Sequence, residues 1–339
     1  MSRRLLILAE ASEKIGTGHV VESFQLCREA LQRSLEVAFL VNAECPAELL
    51  RHSPMRPEIA QDFSAPEIVR TIGRLGGFAG CVTLTNLRCV TNQQLAALAS
   101  FSSRIGCIDE WGKRQIECDV VFNNTIVDRY HHYTSSKPNF RIFKGPTFMA
   151  LGSEFQHLNQ KTRHDRDSIR RVVMAMGGMD PNSVTCSLLE SILPNHPEVE
   201  VDVVLGVGFK DFDRLNRIVS DEPGPRVRIN QNLKSLASLL FEADVGFTIG
   251  GNTLCELACV GTPALTLYED DHELDQAEAF ERGGFGYCLG SVRSASSEKA
   301  IQGLLRMQDQ GVRQRHSETG RRLVDGRGTE RIIDILVED

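Results

Sequence analysis

No stretch of the chain stays apolar for long. The first apolar run, residues 5–9, is closed by Glu10. That is too short for the core of a secretory signal and far too short to cross a bilayer, and no later run is long enough either. Basic residues are not in excess. The chain carries 38 Lys and Arg against 45 Asp and Glu, a net charge of -7, so no general affinity for nucleic acid or an anionic membrane is expected. None of the 10 cysteines stands at C-x-x-C or zinc-finger spacing. They are scattered singly, often within apolar runs such as Gly106-Cys107-Ile108, where a small buried thiol is the ordinary reading. Cys255 and Cys259, one helical turn apart, read as packing in the same way. A reducing, cytoplasmic compartment follows as the expectation. Low-complexity sequence is lacking, and so are a G-x-S-x-G elbow, a P-loop and an H-E-x-x-H pair.

What is present is apolar material for two cores. At 339 residues the chain exceeds what one core usually organises, and 41% hydrophobic with 24% charged residues is a globular balance. Short apolar runs alternate with helical periodicity throughout. Strands are expected at 5–9, 37–41, 80–84, 105–109 and 120–122, with helices at 19–34, 66–75 and 92–99. Between 123 and 170 the periodicity weakens, and that stretch reads as the crossing between domains, with one short helix near 148–151. A second series follows, with strands at 171–176, 199–205, 226–229, 244–249 and 264–267. Helices are expected between them at 182–193, 211–219, 233–241, 253–260 and 275–283, and the tail from 296 reads as wholly helical. The pattern predicts an α/β protein of two Rossmann-like domains, 1–150 and 151–339 with the helical tail. Its site is expected in a cleft between the carboxyl ends of both sheets.

Three strand-to-helix junctions carry candidate chemistry. At Ile249-Gly250-Gly251-Asn252-Thr253 an apolar strand meets two glycines, and a helix starts at once with Asn252 or Thr253 as its cap. Glycines let a ligand approach the backbone, and the first amides of the helix attract phosphate oxygens. Glu256 follows about one turn in, where a carboxylate can accept two hydrogen bonds from a vicinal diol such as a ribose. A plain Gly-Gly turn with a solvated glutamate fits the spacing equally. After the first strand, Gly16-Thr17-Gly18-His19 forms a tight loop with His19 at a helix N-terminus; Val21 stands where a dinucleotide fingerprint needs its third glycine. A helix N-terminus disfavours the imidazolium, so a neutral ring able to accept a proton is one reading of His19, and a structural histidine is the other. Met176-Gly177-Gly178-Met179-Asp180-Pro181 is the matching first loop of the second half, with Asp180 as a plausible N-cap before Pro181. The acidic run 269–273 reads as a solvated loop rather than a metal site, Asp165-Arg166-Asp167 lacks an adjoining strand, and His131-His132 reads as surface.

Together, Ile15 to His19, Met176 to Asp180, and Gly250-Gly251-Asn252-Thr253-x-x-Glu256-Leu257 with Gly261-Thr262-Pro263 resemble the UDP-sugar hydrolase family of pseudaminic acid biosynthesis. Gly145-Pro146-Thr147-Phe148 through Leu151 and Glu154-Phe155 resemble a further stretch of it. That family acts on UDP-2,4-diacetamido-2,4,6-trideoxy-β-L-altropyranose and is similar in fold to metal-independent GT-B glycosyltransferases, including the peptidoglycan GlcNAc transferase. The resemblance implies a GT-B-like fold, UDP held by the second domain with Gly250, Gly251, Asn252 and Thr253 near the pyrophosphate and Glu256 on the ribose, and His19 as general base on water. It puts Gly16, Gly18, Gly178, Asp109, Asp275 and Gln276 on the sugar side of the cleft, with no metal and no cofactor. The chain departs from the family pattern at Glu22, where G-H-x-x-R has arginine, and at Gly152, where an arginine is usual. It departs again at Asp109-Glu110-Trp111, in place of an acidic pair and tyrosine, and at Asp275, where Asn-Gln is usual. These changes leave a GT-B transferase using a UDP-sugar donor, and a non-catalytic UDP-sugar-binding protein, as alternatives to the hydrolase. The oligomeric state is not legible.

Overall fold

The computed structural model describes residues 4–76, 78–163, 166–180, 182–294 and 297–338. The chain divides into two compact units, Met1–Gly152 with Arg327–Asp339, and Ser153–Gly326.

In the first unit, strand β1 (Arg4–Ala9) is followed by helix α1 (Gly18–Gln32). Strands β2 (Glu36–Asn42), β3 (Glu58–Ala60), β4 (Cys81–Asn86) and β5 (Ser102–Ile108) come next. Two short strands, β6 (Arg114–Gln115) and β8 (Tyr133–Thr134), pair with each other, while β7 (Val120–Asn123) and β9 (Arg141–Lys144) extend the main sheet. That sheet has seven strands in the order β3-β2-β1-β4-β5-β7-β9, all parallel. Residues 5–8 read as an unbroken apolar run because both faces of β1 are buried. Leu5 and Ile7 belong to one core, Leu6 and Leu8 to the other.

The second unit opens with helix α2 (Ser153–Gln160). Its sheet contains β10 (Arg171–Ala175), β11 (Glu200–Leu205), β12 (Val227–Gln231), β13 (Val245–Ile249), β14 (Ala264–Tyr268) and β15 (Tyr287–Ser291). The order is β12-β11-β10-β13-β14-β15, again all parallel. Helix α3 (Val184–Asn195) follows β10, α4 (Asn252–Val260) follows β13, and α5 (Asp271–Arg282) follows β14. Each sheet therefore reverses its winding once, between β1 and β4 in the first unit and between β10 and β13 in the second. The carboxyl ends flanking such a reversal leave a crevice that the connecting loops line.

The stretch 123–170, expected as a crossing with one short helix near 148–151, has a short 3-10 helix at Pro146–Phe148 and also builds β8 and β9 of the first unit before it crosses. Its edge strand Arg141-Ile142-Phe143-Lys144 is too short and too charged to stand out as an apolar run. Of Asp165-Arg166-Asp167, Asp165 lies outside the described residues; Arg166 pairs with the buried Asp244 at 2.8 Å. His131 differs from its surface reading. Its ring is tucked in, with Nε2 on the Thr125 carbonyl oxygen at 2.9 Å, while His132 is exposed.

The tail is broken into helices at Ser297–Arg306, Gln310–Leu323 and α6 (Gly328–Val337), and α6 belongs to the first unit rather than the second. The reason is its apolar stripe. Ile332, Ile333 and Leu336 are fully buried in the same core as Leu5, Ile7 and Phe24. Gly106 makes room for it, since a Cβ there would lie 2.5 Å from the Leu336 side chain. Arg104 donates to the last carbonyls of the helix, at 3.0 Å to Leu336 and 2.6 Å to Glu338, which satisfies groups a helix end leaves unpaired. Among the described residues no helix is long and apolar enough to cross a membrane.

Leu336→Ala should destabilise the first unit by about 2–5 kcal/mol, the usual range for a buried leucine whose cavity cannot collapse. Trp111, the only tryptophan, lies in that unit, so its fluorescence in a urea titration reports the change. An unmoved midpoint would mean that α6 does not complete this core.

Candidate functional site

In the second unit the chain leaves β13 at Gly250, where a Cβ would lie 2.4 Å from the Glu273 carbonyl oxygen; only glycine lets the first turn of α5 approach this closely. Gly251 is the N-cap of α4, and no side chain caps that helix. A Cβ at Gly251 would meet no protein atom within 4 Å, so packing within the unit does not demand a glycine here. The first amides of α4, from Asn252 and Thr253, are those that attract an anion at a helix start.

The N-terminus of α3 is built differently. The Asp180 carboxylate accepts hydrogen bonds from the amides of Val184 at 2.8 Å and Thr185 at 3.1 Å, so this helix supplies its own anion. The helix begins later than expected, with Ser183 at the N-cap position, and Pro181 lies outside the described residues. Gly178 is a packing residue of the same loop. Its carbonyl accepts from the Gly208 amide at 2.9 Å, and a Cβ on Gly206 would lie 2.3 Å from its oxygen. Of the two helix starts at this reversal, α4 alone is left without a capping side chain.

Glu256 stands one turn into α4 and is half-buried. Desolvation pushes its carboxyl up to about 7; the neighbouring Glu154 adds to the rise, and a hydrogen bond from Thr253 opposes it. The acidic run 269–273 forms a helix cap. Asp270 accepts from the Glu273 amide at 2.9 Å, and the Glu273 carboxylate reaches back to the Glu269 amide at 2.7 Å. Among the described residues no group of three His, Cys, Asp or Glu is placed to hold a metal ion. Asp275, half-buried, and Gln276, buried, lie on α5, whose first turn abuts Gly250.

In the first unit Gly16 takes φ +84 and closes a tight loop. Its amide donates to the Ser12 carbonyl at 2.9 Å, and the Ser12 amide donates back at 3.3 Å. Gly18 then opens α1, with His19 half-buried in its first turn. The His19 ring meets the last residue of β4: Nδ1 lies 2.9 Å from Asn86 Oδ1. The Asn86 amide nitrogen donates to the His19 carbonyl at 3.0 Å and to Glu22 Oε2 at 2.9 Å. Its oxygen is thereby left facing the ring and can only accept, so a neutral ring paired with it would carry its proton on Nδ1 and its lone pair on Nε2. Glu22 is 2% exposed, and its Oε1 accepts from Asn124 at 3.1 Å.

Asp109 stands just beyond β5. It is buried, and its Oδ1 accepts from the amides of Trp111 and Gly112 and from the Tyr133 hydroxyl, at 3.2, 3.0 and 2.8 Å, while Oδ2 pairs with Arg114 at 2.5 Å. Through Oδ1 the carboxylate holds its own turn, and through Oδ2 it is ion-paired. The turn it holds needs Gly112, whose Cβ would lie 1.8 Å from the Tyr130 carbonyl oxygen. Beside the Gly16 loop a concavity of about 460 Å³ is walled by Glu10, Ile15, Leu87, Arg88, Cys89, Gln94 and Trp111. Sequence reasoning missed Asn86 and Asn124. Their only local signal is that each stands where a buried apolar strand ends.

The predicted residues thus fall into two groups. Gly16, Gly18, His19 and Asp109 are in the first unit; Gly178, Gly250, Gly251, Asn252, Thr253, Glu256, Asp275 and Gln276 are in the second.

No protein-family model matches the chain. It is 26% identical, over an alignment of 344 residues, to the spore coat polysaccharide biosynthesis protein SpsG of Bacillus subtilis, covering 97% of this chain and 96% of that protein. The fold matches MurG of Acinetobacter baumannii with a TM-score of 0.65 at 12% identity, over 98% of this chain and 99% of that one. UDP-GlcNAc 2-epimerase of Neisseria meningitidis, a structure bound to UDP-GlcNAc, matches with a TM-score of 0.61 at 12% identity, over 99% and 100%. The chain has the GT-B glycosyltransferase-like fold, and its neighbours in that fold include enzymes that act on UDP-sugars.

A carboxyl raised above its ordinary 4.5 in the folded protein favours folding only while protonated, and that contribution is lost as pH rises through about 7. Glu256→Gln should therefore raise the thermal midpoint at pH 8.5 (roughly 1.5 units above that value) and do so much less near pH 5. An equal shift at both, or none, would reject the desolvated carboxyl.

Proposed function

We propose that this protein is a nucleotide-sugar hydrolase, cleaving a UDP-linked amino-deoxysugar to UDP and the free sugar with water activated by His19. The observation that carries this reading is the hydrogen bond from His19 Nδ1 to Asn86 Oδ1, which leaves the Nε2 lone pair for a nucleophile's proton. As water attacks the anomeric carbon, a new carbon–oxygen bond forms and Nε2 takes the water proton. The bond from that carbon to the diphosphate oxygen breaks, UDP leaves with the electron pair, and the sugar is inverted.

The uncapped start of α4 supports the departure. Its dipole and the amides of Asn252 and Thr253 stabilise negative charge growing on the diphosphate, and Gly250 and Gly251 keep side chains out of the way. Glu256, as a carboxylate, accepts two hydroxyl hydrogen bonds from the ribose. Gly16 and Gly18 shape the loop ahead of the base, and Asp275 and Gln276 are left to the sugar. The UDP-GlcNAc-bound neighbour supports the substrate class, and the relative's place in polysaccharide biosynthesis supports a carbohydrate pathway. The amino-deoxysugar itself rests on the resemblance of the three loops.

One observation favours a second reading, a GT-B transferase. The concavity beside the Gly16 loop is lined by Trp111, with the Arg88 guanidinium 5.4 Å over its ring, and by Glu10, whose Oε1 accepts from the Arg88 amide at 2.7 Å; such aromatic and charged groups suit the ring and hydroxyls of an acceptor. His19 would then deprotonate the acceptor rather than water.

UDP release from a panel of UDP-sugars, measured without acceptor, separates these. Turnover without acceptor is expected, with His19→Ala and His19→Gln each slowing it by about 10²–10⁴-fold, the usual contribution of a general base. Unaltered turnover in both variants would sink the base assignment. Consumption only after an acceptor is added would establish the transferase instead, and binding with no consumption would make the chain a UDP-sugar-binding protein. By calorimetry, Glu256→Ala should weaken UDP binding by roughly 10–100-fold, the loss of hydrogen bonds to a charged acceptor; an unchanged Kd would reject the ribose role.

A further inference from the structure

We propose that Glu22 is a positioning residue, whose buried carboxylate locks the Asn86 carboxamide in one orientation and so fixes which ring nitrogen of His19 carries the proton. The consequence for catalysis rests on the hydrolase reading; the consequence for the ring does not.

Glu22 lies three residues after His19, near the start of α1, and its two oxygens bridge the ends of two strands. Oε2 accepts from Asn86, the last residue of β4, and Oε1 accepts from Asn124, just beyond β7. A carboxamide fits its cavity in two orientations, related by a half-turn, that exchange oxygen and nitrogen. With the nitrogen inward, Asn86 donates to Glu22 Oε2, to the His19 carbonyl and, at 3.3 Å, to Ser23 Oγ. The reversed orientation would set the Asn86 oxygen against the carboxylate and the carbonyl, leaving buried acceptors without a proton between them. Asn86 Oδ1 therefore faces His19 Nδ1 at 2.9 Å, and the ring must donate there.

Without the carboxylate, one of the two acceptors that oppose the reversed amide is gone, and the population of that amide rises. Its nitrogen would then donate to Nδ1, the ring proton would move to Nε2, and the atom that should accept a proton would hold one. An imidazole in water favours that Nε2–H form, so the folded protein keeps the less favoured tautomer only through this chain of partners.

The test uses the full-length protein with ¹⁵N-labelled histidine and long-range ¹H–¹⁵N spectra at a pH where the rings are neutral. The chain has nine histidines, so the His19 signals are identified by their loss in His19→Gln. The parent should show the proton on Nδ1. Glu22→Ala should move the population toward Nε2–H. Glu22→Gln, whose side-chain oxygen can still accept from Asn86, should restore the parent pattern. If Glu22→Ala does not fold, Asn86→Ser carries the test, because a hydroxyl donates or accepts and fixes neither tautomer. In the activity assay Glu22→Ala should lower kcat for UDP release by about tenfold or more while UDP affinity stays within about twofold, and Glu22→Gln should recover most of it.

A parent ring with its proton on Nε2, or a folded Glu22→Ala that keeps the parent tautomer, overturns the proposal. A tautomer that shifts as expected in a protein that releases no UDP upholds the positioning and overturns the hydrolase reading alone.

Discussion

In a parallel sheet covered on both sides, the faces of the strands are spent on packing, and polar chemistry can be held only where the strands end. Leu5 and Ile7 point into one core and Leu6 and Leu8 into another, which leaves no face of β1 for a ligand. At the carboxyl edge the backbone groups lose their ladder partners and something must satisfy them. This chain repeatedly uses asparagine, which donates and accepts at once. Asn42 closes β2 and exchanges two hydrogen bonds of 2.9 Å with Ala11. Asn123 closes β7 and binds the Tyr130 carbonyl at 3.0 Å. Asn86 closes β4 with the same chemistry, but spends its oxygen on a titratable ring. The candidate base thus grows out of a device the sheet needs anyway.

The second sheet solves the same problem twice with opposite results. Both α3 and α4 begin at the reversal point after a glycine pair, and both need an acceptor for their first amides. Asp180 satisfies α3 from within, whereas Gly251 brings no side chain to α4. The glutamate one turn into α4 follows the same logic. Its desolvated carboxyl weakens folding above neutral pH, a cost that a ribose diol would offset by hydrogen-bonding to the charged form. Both features are what the proposed nucleotide role would use.

What was legible in the sequence was what is local. The Gly250-Gly251 junction, the Gly16 loop and His19 could be read because strand end, glycine and helix start are adjacent in the chain. The alternation of runs likewise exposed both sheets. The missed parts depend on long-range contact. Asn86 is 67 residues from His19 and Asn124 is 102 from Glu22, and nothing in their neighbourhoods marks a partner at that distance. Asp109 was placed on the sugar side only by the family resemblance, and the way the turn beyond it closes back on its Oδ1 is not marked in the sequence. The last helix carried a clear apolar stripe, but a stripe states that it packs and not where. Only Gly106, which leaves space for Leu336, decides that.

Position 22 shows how a departure from a family pattern can be rebuilt rather than tolerated. An arginine there would be a donor only, and against the Asn86 carboxamide it would draw the oxygen inward. The amide nitrogen would then face His19, and Nδ1 would have to accept. An acid reverses every step, and it brings a second requirement, because a buried carboxylate needs donors for both oxygens. Asn124 meets that requirement on one side and Asn86 on the other. The three residues therefore form one unit of exchange. Replacing Glu22 by arginine in this chain, without altering both asparagines, would strand two donors against a cation and move the His19 ring proton to Nε2. The acid at this position is part of the machinery around the histidine and not a loss of it.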